Sequence, residues 1–288
     1  MNSTRTDAPP ATAEAILDDI DARPGSVTSL ARTVLGAYVR DLGGWIAIAD
    51  FSTLLSGLGV PEQSTRTAVA RLKSKGVLDA QTRSGRSGYQ LTKAAEAMYS
   101  RGDPRIFGFR QMSEDDPWQL ISFTIPESAR TTRHQLRRRL ASIGCGNVSP
   151  GLWICPHYLA EEAAAIVTAL NLDEYVTSFR ATNFTSPDPP AMAAARWWDL
   201  PALADRHRSF IDNHRALHDA RNLDDEQAFR LFIPLLDEWR TIPYLDPGLP
   251  NSMLPPSWPG PTSLRLFTEA RGRCLEPSRR WVLSRTHV

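Results

Sequence analysis

Lysine is nearly missing from this chain. Of its 33 basic residues only Lys73, Lys75 and Lys93 are lysines, all in one short stretch, and the rest are arginines. The bias fits arginine's bidentate pairing and stacking on aromatic rings, and a GC-rich genome would produce it equally well. Cysteine is also scarce. Cys145, Cys155 and Cys274 are odd in number and show no CxxC spacing, which argues against a disulfide framework or a zinc ribbon and for a reducing cytoplasm. No apolar run approaches the ~18 residues of a membrane span; the longest apolar helical stretch, Ala163–Leu170, is far shorter. The first residues carry acids and lack the apolar stretch of a signal peptide. Residues 1–26 are therefore expected to be a flexible tail, with a short helix around Ala11–Ala22. Net charge is only +1, so any attraction to nucleic acid must come from a local patch. Catalytic signatures are missing as well: there is no GxSxG, no P-loop, no GxGxxG after a strand and no paired carboxylates in a cleft-like context. No catalytic residue, metal site or cofactor is expected.

What is present is an ordinary globular composition, 42% hydrophobic and 23% charged, which excludes global disorder. The length of 288 residues suits two ordinary domains or three small ones. The expected class is α+β, in three segments. In residues 27–112, apolar positions of helical period mark a helix over Val27–Leu42, ended by Gly43-Gly44. Trp45–Ile48 reads as a short strand or helix entry. Phe51, Leu54, Leu55 and Leu58 mark a second helix. Thr65, Ala68, Val69 and Leu72 mark a third, entered at Pro61 and stopped at Gly76. Strands Val77–Gln81 and Ser87–Thr92 follow, joined by a polar turn, and then a helix over Lys93–Tyr99. Three helices and a hairpin are the order of a winged helix-turn-helix.

Residues 113–186 read βαββαβ, the ferredoxin-like pattern, with strands Trp118–Ile125, Asn147–Ser149, Leu152–Cys155 and Tyr175–Thr182 and helices Arg130–Ile143 and Leu159–Leu170. A linker, SPDPP, leads into residues 187–288. These are helical at first, proline-rich from Ile242 to Pro261, and helical again over Ser263–Leu275.

The third helix carries the chemistry of a DNA reader. Opposite its apolar face stand Gln63, Thr67, Ala70 and Ser74, flanked by Arg66, Arg71 and Lys73. Arginine reads guanine, glutamine reads adenine, and lysine meets phosphate. Between Pro61 and Arg101 there are eight basic residues against three acids, so the charge is concentrated here. Arg83 and Arg86 lie on the hairpin turn, placed for a minor groove or backbone. A solvated face on an ordinary helix is the plainer alternative, and the adjacent hairpin weighs against it. The expected DNA-binding residues are Gln63, Ser64, Arg66, Thr67, Arg71, Lys73, Lys75, Arg83 and Arg86.

Other features stay open. The basic helix with Arg130, Arg133, His134, Arg137, Arg138 and Arg139 fits a solvated face, a coenzyme A phosphate or carboxylate clamp, or an auxiliary DNA contact. His207, His214 and His218 share one helical face, where surface or interface histidines are favoured over a metal site. The proline-rich stretch cannot be a helix or a central strand. It is expected to wrap over the helices with Trp239, Tyr244, Leu254 and Trp258 as anchors, and packing is favoured over a ligand pocket.

Specific stretches carry a resemblance to a family. VPEQSTRTAVARLKSKGVL (Val60–Leu78), SGRSGYQLT (Ser84–Thr92), IPESARTTRHQLRRRLASIGCGNVSPGLWICP (Ile125–Pro156) and EWRTIPYLDPGLPNSMLPPSWPG (Glu238–Gly260) resemble the PaaX-type bacterial transcriptional repressors. The resemblance spans roughly Val27 to Leu275. It implies a cytoplasmic, homodimeric repressor of aromatic-acid catabolism. Such a repressor binds a palindromic operator and is released by an aryl-acyl-CoA, phenylacetyl-CoA being the founding case. Arg133, Arg137, Trp153, Trp239, Arg240, Tyr244 and Trp258 are the candidate effector contacts, with coupling to the DNA-binding helix expected through the central segment. That segment also resembles the ferredoxin-fold endonuclease subunit of CRISPR adaptation. Thr124 stands where that family has a metal-binding aspartate, and a hydroxyl is a poor substitute, so a dimerisation or scaffold module is expected. The rivals are a metal-dependent nuclease using Glu127 and a scaffold that binds no DNA.

Overall fold

The computed structural model describes residues 23–219 and 222–287, without the side chains of His218 and Asp219. The expected short helix around Ala11–Ala22, and most of the expected tail, lie outside the described residues. Helix α1 (Val27–Val34) begins at Ser26, whose hydroxyl accepts from the Ser29 N–H, and runs on through a π-helical turn, Leu35–Val39. Strand β1 (Trp45–Ala47) and helices α2 (Ile48–Gly57) and α3 (Glu62–Ser74) follow. Thr65, Ala68, Val69 and Leu72 of α3 are buried, as their helical spacing requires. Gly76, at φ +67°, ends the helix: its N–H reaches the Lys73 carbonyl at 3.0 Å, and the Val77 N–H reaches Leu72 at 2.9 Å.

Strands β2 (Leu78–Arg83) and β3 (Arg86–Leu91) are longer toward the turn than the sequence predicts. Pairing continues to Arg83 opposite Arg86. The turn shrinks to Ser84 and Gly85, both at positive φ, the two-residue hairpin connection that matches strand twist. With β1 they form an antiparallel sheet ordered β1-β3-β2. Helix α4 (Lys93–Phe107) runs beyond the expected Tyr99.

Next come β4 (Trp118–Phe123), α5 (Arg130–Ser142), β5 (Gly146–Ser149), β6 (Leu152–Pro156), α6 (Ala160–Ala169) and β7 (Val176–Ala181). The four strands form a second antiparallel sheet ordered β5-β6-β4-β7. Helix α7 (Pro190–Trp197) leads to α8 (Leu200–His214), α9 (Asp225–Trp239) and the long α10 (Gly260–Arg285).

The described chain forms two compact units. The smaller comprises Gln111–Asp199 and Leu245–Leu254. Leu136 and Leu140 of α5 and Ala163 and Ile166 of α6 pack with Ile121, Phe123 and Cys155 of the sheet. Beside β4, Trp118 meets Phe184 edge-on at 5.6 Å. Part of the proline-rich stretch belongs to this unit: the Met112 N–H donates to the Gly248 carbonyl at 2.7 Å, and Ser252 is held by Glu114. The stretch is not free of helix. Ile242–Leu245 makes one helical turn, since proline is tolerated in a first turn.

Among the described residues, the larger unit combines residues 23–110 with 200–244 and 255–287. The first and third sequence segments thus share one hydrophobic core. Leu35, Phe51 and Leu72 pack in the same cluster as Phe210, Phe229, Trp239, Phe267 and Trp281. A buried polar seam joins α1 to α9. Asp237, with no exposed surface, accepts from Ser29 Oγ at 2.6 Å, Thr33 Oγ1 at 2.7 Å and the Gly25 N–H at 2.7 Å. It also pairs with Arg240 Nε at 3.3 Å. Arg240 in turn donates to Ser29 Oγ at 2.9 Å and Thr33 Oγ1 at 3.2 Å. Asp237→Ala would remove a buried carboxylate that pairs with Arg240 and accepts from Gly25, Ser29 and Thr33. It is expected to lower unfolding stability by about 3–5 kcal/mol, read from urea denaturation of the full chain. A loss below about 1 kcal/mol would contradict the placement of this carboxylate in the core.

Candidate nucleic-acid interface

The face of α3 away from the core is polar and solvent-exposed. Gln63, Arg66, Thr67, Arg71, Lys73 and Lys75 are exposed, and Ser64 is half-buried. Not all of them are available to a ligand. Arg66 is engaged one turn back with Glu62 at 2.5 Å, an exposed pair of the kind that exchanges readily with solvent. Thr67 donates its hydroxyl to the Gln63 carbonyl at 3.0 Å. The side chains of Gln63, Arg71 and Lys73 make no hydrogen bond or ion pair among the described residues. Gln63, Thr67 and Arg71 line a shallow groove of about 260 Å3 with Ser26 and Thr28 from the start of α1.

The hairpin is better anchored than a flexible tip. Arg83 is exposed, but its guanidinium bonds Gln81 at 3.0 Å and Gln90 at 2.5 Å and lies 5.7 Å over the Trp45 ring. Arg86 is tied back to α2 by a 2.8 Å ion pair with Asp50, a carboxylate only 7% exposed, and it also donates to the His287 carbonyl. The sequence places Arg86 on an unconstrained turn. In the structure its first partner is a nearly buried acid, which fixes the hairpin against α2.

The candidate effector contacts fall in two separate units. Trp239 has no exposed surface; it stacks on Phe267 at 4.6 Å, meets Phe210 at 5.4 Å, and gives its indole N–H to the Ile106 carbonyl at 2.8 Å. Arg240 belongs to the Asp237 seam. Tyr244 is buried beneath Arg105. Trp258 is half-buried and meets the His207 ring edge-on at 5.6 Å. In the smaller unit Trp153 is buried, Arg133 pairs with Glu127 at 2.8 Å, and Arg137 is half-buried. Packing thus occupies the rings of Trp153, Trp239 and Tyr244. Thr124 is exposed, as is Glu127, whose carboxylate faces Arg133 and Arg130.

The histidines differ from the expected surface row. His207 is buried, with Nδ1 2.6 Å from Ser263 Oγ. His214 Nε2 lies 2.9 Å from Glu238 Oε2, and the His218 side chain lies outside the described residues. Burial pushes the Glu238 carboxyl up. Hydrogen bonds from His214 and Asn213, with the His214 charge, outweigh that and hold it below the ordinary glutamate value. Among the described residues no three His, Cys, Asp or Glu side chains cluster to hold a metal, and no helix is long and apolar enough to cross a membrane.

Two functional residues escape a reading of the sequence. Asp237 is one of four acids on α9, next to Glu238, and Asp50 is an isolated acid in α2. Neither carries a motif, because each works through a partner distant in sequence.

Comparison with known proteins places these elements in a family. Residues 26–95 match a model described as PaaX-like protein. Residues 111–193 match the PaaX protein central Cas2-like domain, and residues 198–284 the PaaX-like protein C-terminal domain. The chain is 28% identical over 255 residues to the transcriptional repressor PaaX of Escherichia coli (strain K12), covering 86% of this chain and 80% of that protein. It also resembles the solved structure of an uncharacterized protein from Mycobacterium tuberculosis, with TM-score 0.53, 20% identity and coverage of 95% and 99% of the two chains. That second likeness concerns the fold alone. With all three family segments matched in order along both units, the chain belongs to the PaaX family.

Proposed function

We propose that this protein is a transcriptional repressor of an operon for aromatic-compound catabolism. It binds a palindromic operator as a homodimer and is released by an aryl-acyl-CoA or a related aromatic effector. The reading rests on its likeness to the Escherichia coli repressor. The observation that carries DNA binding is the exposed face of α3, with Gln63, Arg71 and Lys73 making no side-chain hydrogen bond or ion pair among the described residues, beside an anchored hairpin. In this reading α1 to α3 and the β2-β3 hairpin are a winged helix-turn-helix, with α3 in the major groove. Gln63, Ser64 and Thr67 meet base edges. Arg66, Arg71, Lys73 and Lys75 meet phosphates or guanine, and Arg83 and Arg86 hold and extend the wing. The second sheet, ordered β5-β6-β4-β7 between four antiparallel strands, supports a ferredoxin-like scaffold, which we assign to dimerisation. A DNA-binding repressor of this kind works in the cytoplasm. The nuclease alternative is disfavoured because Thr124 offers no carboxylate for a hard cation.

A gel shift on the DNA upstream of the protein's own gene, repeated over a salt series, tests the assignment. Arg71→Ala and Lys73→Ala are expected to weaken binding to all sequences and to reduce the salt slope by roughly 1 each. Gln63→Ala should relax preference at one position by about 1–3 kcal/mol of discrimination. Unchanged affinity and footprint in all three would refute the role of α3. Arg86→Ala should behave differently from Arg71→Ala, because it also removes the guanidinium paired with Asp50 and leaves that carboxylate only its contacts with His287. A fall in melting temperature is expected alongside the loss of affinity, and an unshifted melting curve would contradict the anchoring. Incubation of plasmid DNA with Mg²⁺ or Mn²⁺ should leave it intact; metal-dependent cleavage lost in Glu127→Ala would favour the nuclease.

A further inference from the structure

The tip of the β2-β3 hairpin has less sheet around it than its base. Strand β1 pairs with β3 only at Gly88, Tyr89 and Gln90. Past Gly88 the ribbon is two strands alone, with Thr82 opposite Ser87 and Arg83 opposite Arg86. Strand β2 is exposed from Asp79 to Arg83. A two-stranded ribbon is marginally stable by itself in water. The position of this tip therefore depends on what its side chains hold.

One anchor comes from the other end of the sequence. Trp281 of α10 is buried and stacks on Phe229 of α9 at 4.4 Å. Its ring also lies against Gly57, the last residue of α2, where a methyl group would come within 2.5 Å of it. After Arg285 the backbone becomes extended at Thr286, with φ −113° and ψ 128°, and the Thr286 hydroxyl donates to the Val282 carbonyl at 3.0 Å. His287 is thereby brought to Asp50 of α2. The His287 N–H donates to Asp50 Oδ2 at 3.1 Å, and its ring Nδ1 lies 3.5 Å from Asp50 Oδ1. The His287 carbonyl accepts from Arg86 Nη1 at 3.0 Å. Arg86 Nη2 closes the cycle by donating to Asp50 Oδ1 at 2.8 Å.

Three distant parts of the chain meet in this cycle: a carboxylate from α2, a guanidinium from the tip of β3 and a peptide backbone from beyond α10. The Asp50 side chain is only 7% exposed, so its charge calls for partners. Arg86 supplies one and the His287 N–H another. The guanidinium holds its N–H groups in fixed directions. Meeting a carboxylate and a carbonyl together fixes its plane, and with it the end of β3.

We propose that the residues following α10 clip the hairpin in place. The His287 backbone is a positioning residue that acts through Arg86 and Asp50 to hold the tip where DNA binding needs it. The clip stands on its own hydrogen bonds, while its part in DNA binding rests on the repressor reading above. It gives the C-terminal segment a hold on the hairpin through main-chain atoms.

His287→Pro tests the clip, because it removes the N–H donor and keeps the carbonyl. The extended backbone at Thr286 suits a residue that precedes proline. In hydrogen exchange of the full chain, peptides spanning Thr82–Gly88 should exchange about 3- to 10-fold faster in the variant, the factor expected of one hydrogen bond. Peptides from α3 should keep their rates. In gel shifts on the upstream DNA, binding should weaken by the same factor. In an Arg86→Ala background the proline should add less than about twofold, because the cycle is already open. A residue that only stabilised the fold would add its full effect there. Removing residues 286–288 takes away both backbone contacts. It should match or exceed the loss, and it decides the matter if the proline variant melts early. Unchanged exchange of the hairpin in both variants would overturn the clip. Faster exchange with unchanged DNA affinity, or full additivity with Arg86→Ala, would overturn the positioning role. If the hairpin exchanges faster as stated but the wild type binds no DNA at all, the repressor reading has failed and the clip stands.

Discussion

The carboxylate of Asp237 ties the two ends of the larger unit's sequence together. It has no exposed surface, so its charge must be answered inside the protein. The answer comes from Gly25, Ser29, Thr33 and Arg240. A buried ion pair alone recovers little more than the desolvation of its partners. Here two hydroxyls fill lone pairs that Arg240 leaves open, and both also accept from Arg240. Ser29 and Thr33 lie four residues apart on α1, so they stand one above the other on one face. Only one rotation and one height of α1 bring both to Asp237. The seam therefore sets where α1 sits, while the surrounding aromatic core, with Trp239 stacked on Phe267, supplies the hydrophobic stabilisation.

From α1 the constraint passes to the exposed polar face of α3. Helix α3 packs on α1 through the apolar stripe that ends in Leu72, and its polar face is turned outward as a result. The hairpin is fixed in a comparable way. Arg86 answers Asp50 in α2, and Arg83 lies across Trp45. A chain of net charge +1 thus carries a locally basic stretch, because Pro61–Arg101 holds eight basic residues against three acids.

Much of this was legible from local pattern. Thr65, Ala68, Val69 and Leu72 reveal the buried stripe of α3 by period alone, and Gly76 marks its end because a left-handed residue is needed there. In the smaller unit the strands and helices begin and end within a few residues of the alternation in the sequence. What depends on distant partners was hidden. Asp237 and Ser29 are 208 residues apart, and no periodicity encodes their meeting, so the shared core of the first and third segments could not be foreseen. The sequence pattern ends this helix near Tyr99, yet α4 continues through Pro104 to Phe107. Trp239 beside Arg240 looks the same in sequence whether it lines a pocket or fills a core, and here it fills the core.

The account turns on sequence-specific DNA recognition by the α3 face. The most direct measurement is the ratio of dissociation constants for the protein's own upstream DNA and for a scrambled duplex of equal length and composition, both at physiological salt. A specific repressor should prefer its own site by roughly 10³ or more. Equal affinities that fall together as salt is raised would mean that the basic surface meets phosphates alone, and would contradict the account.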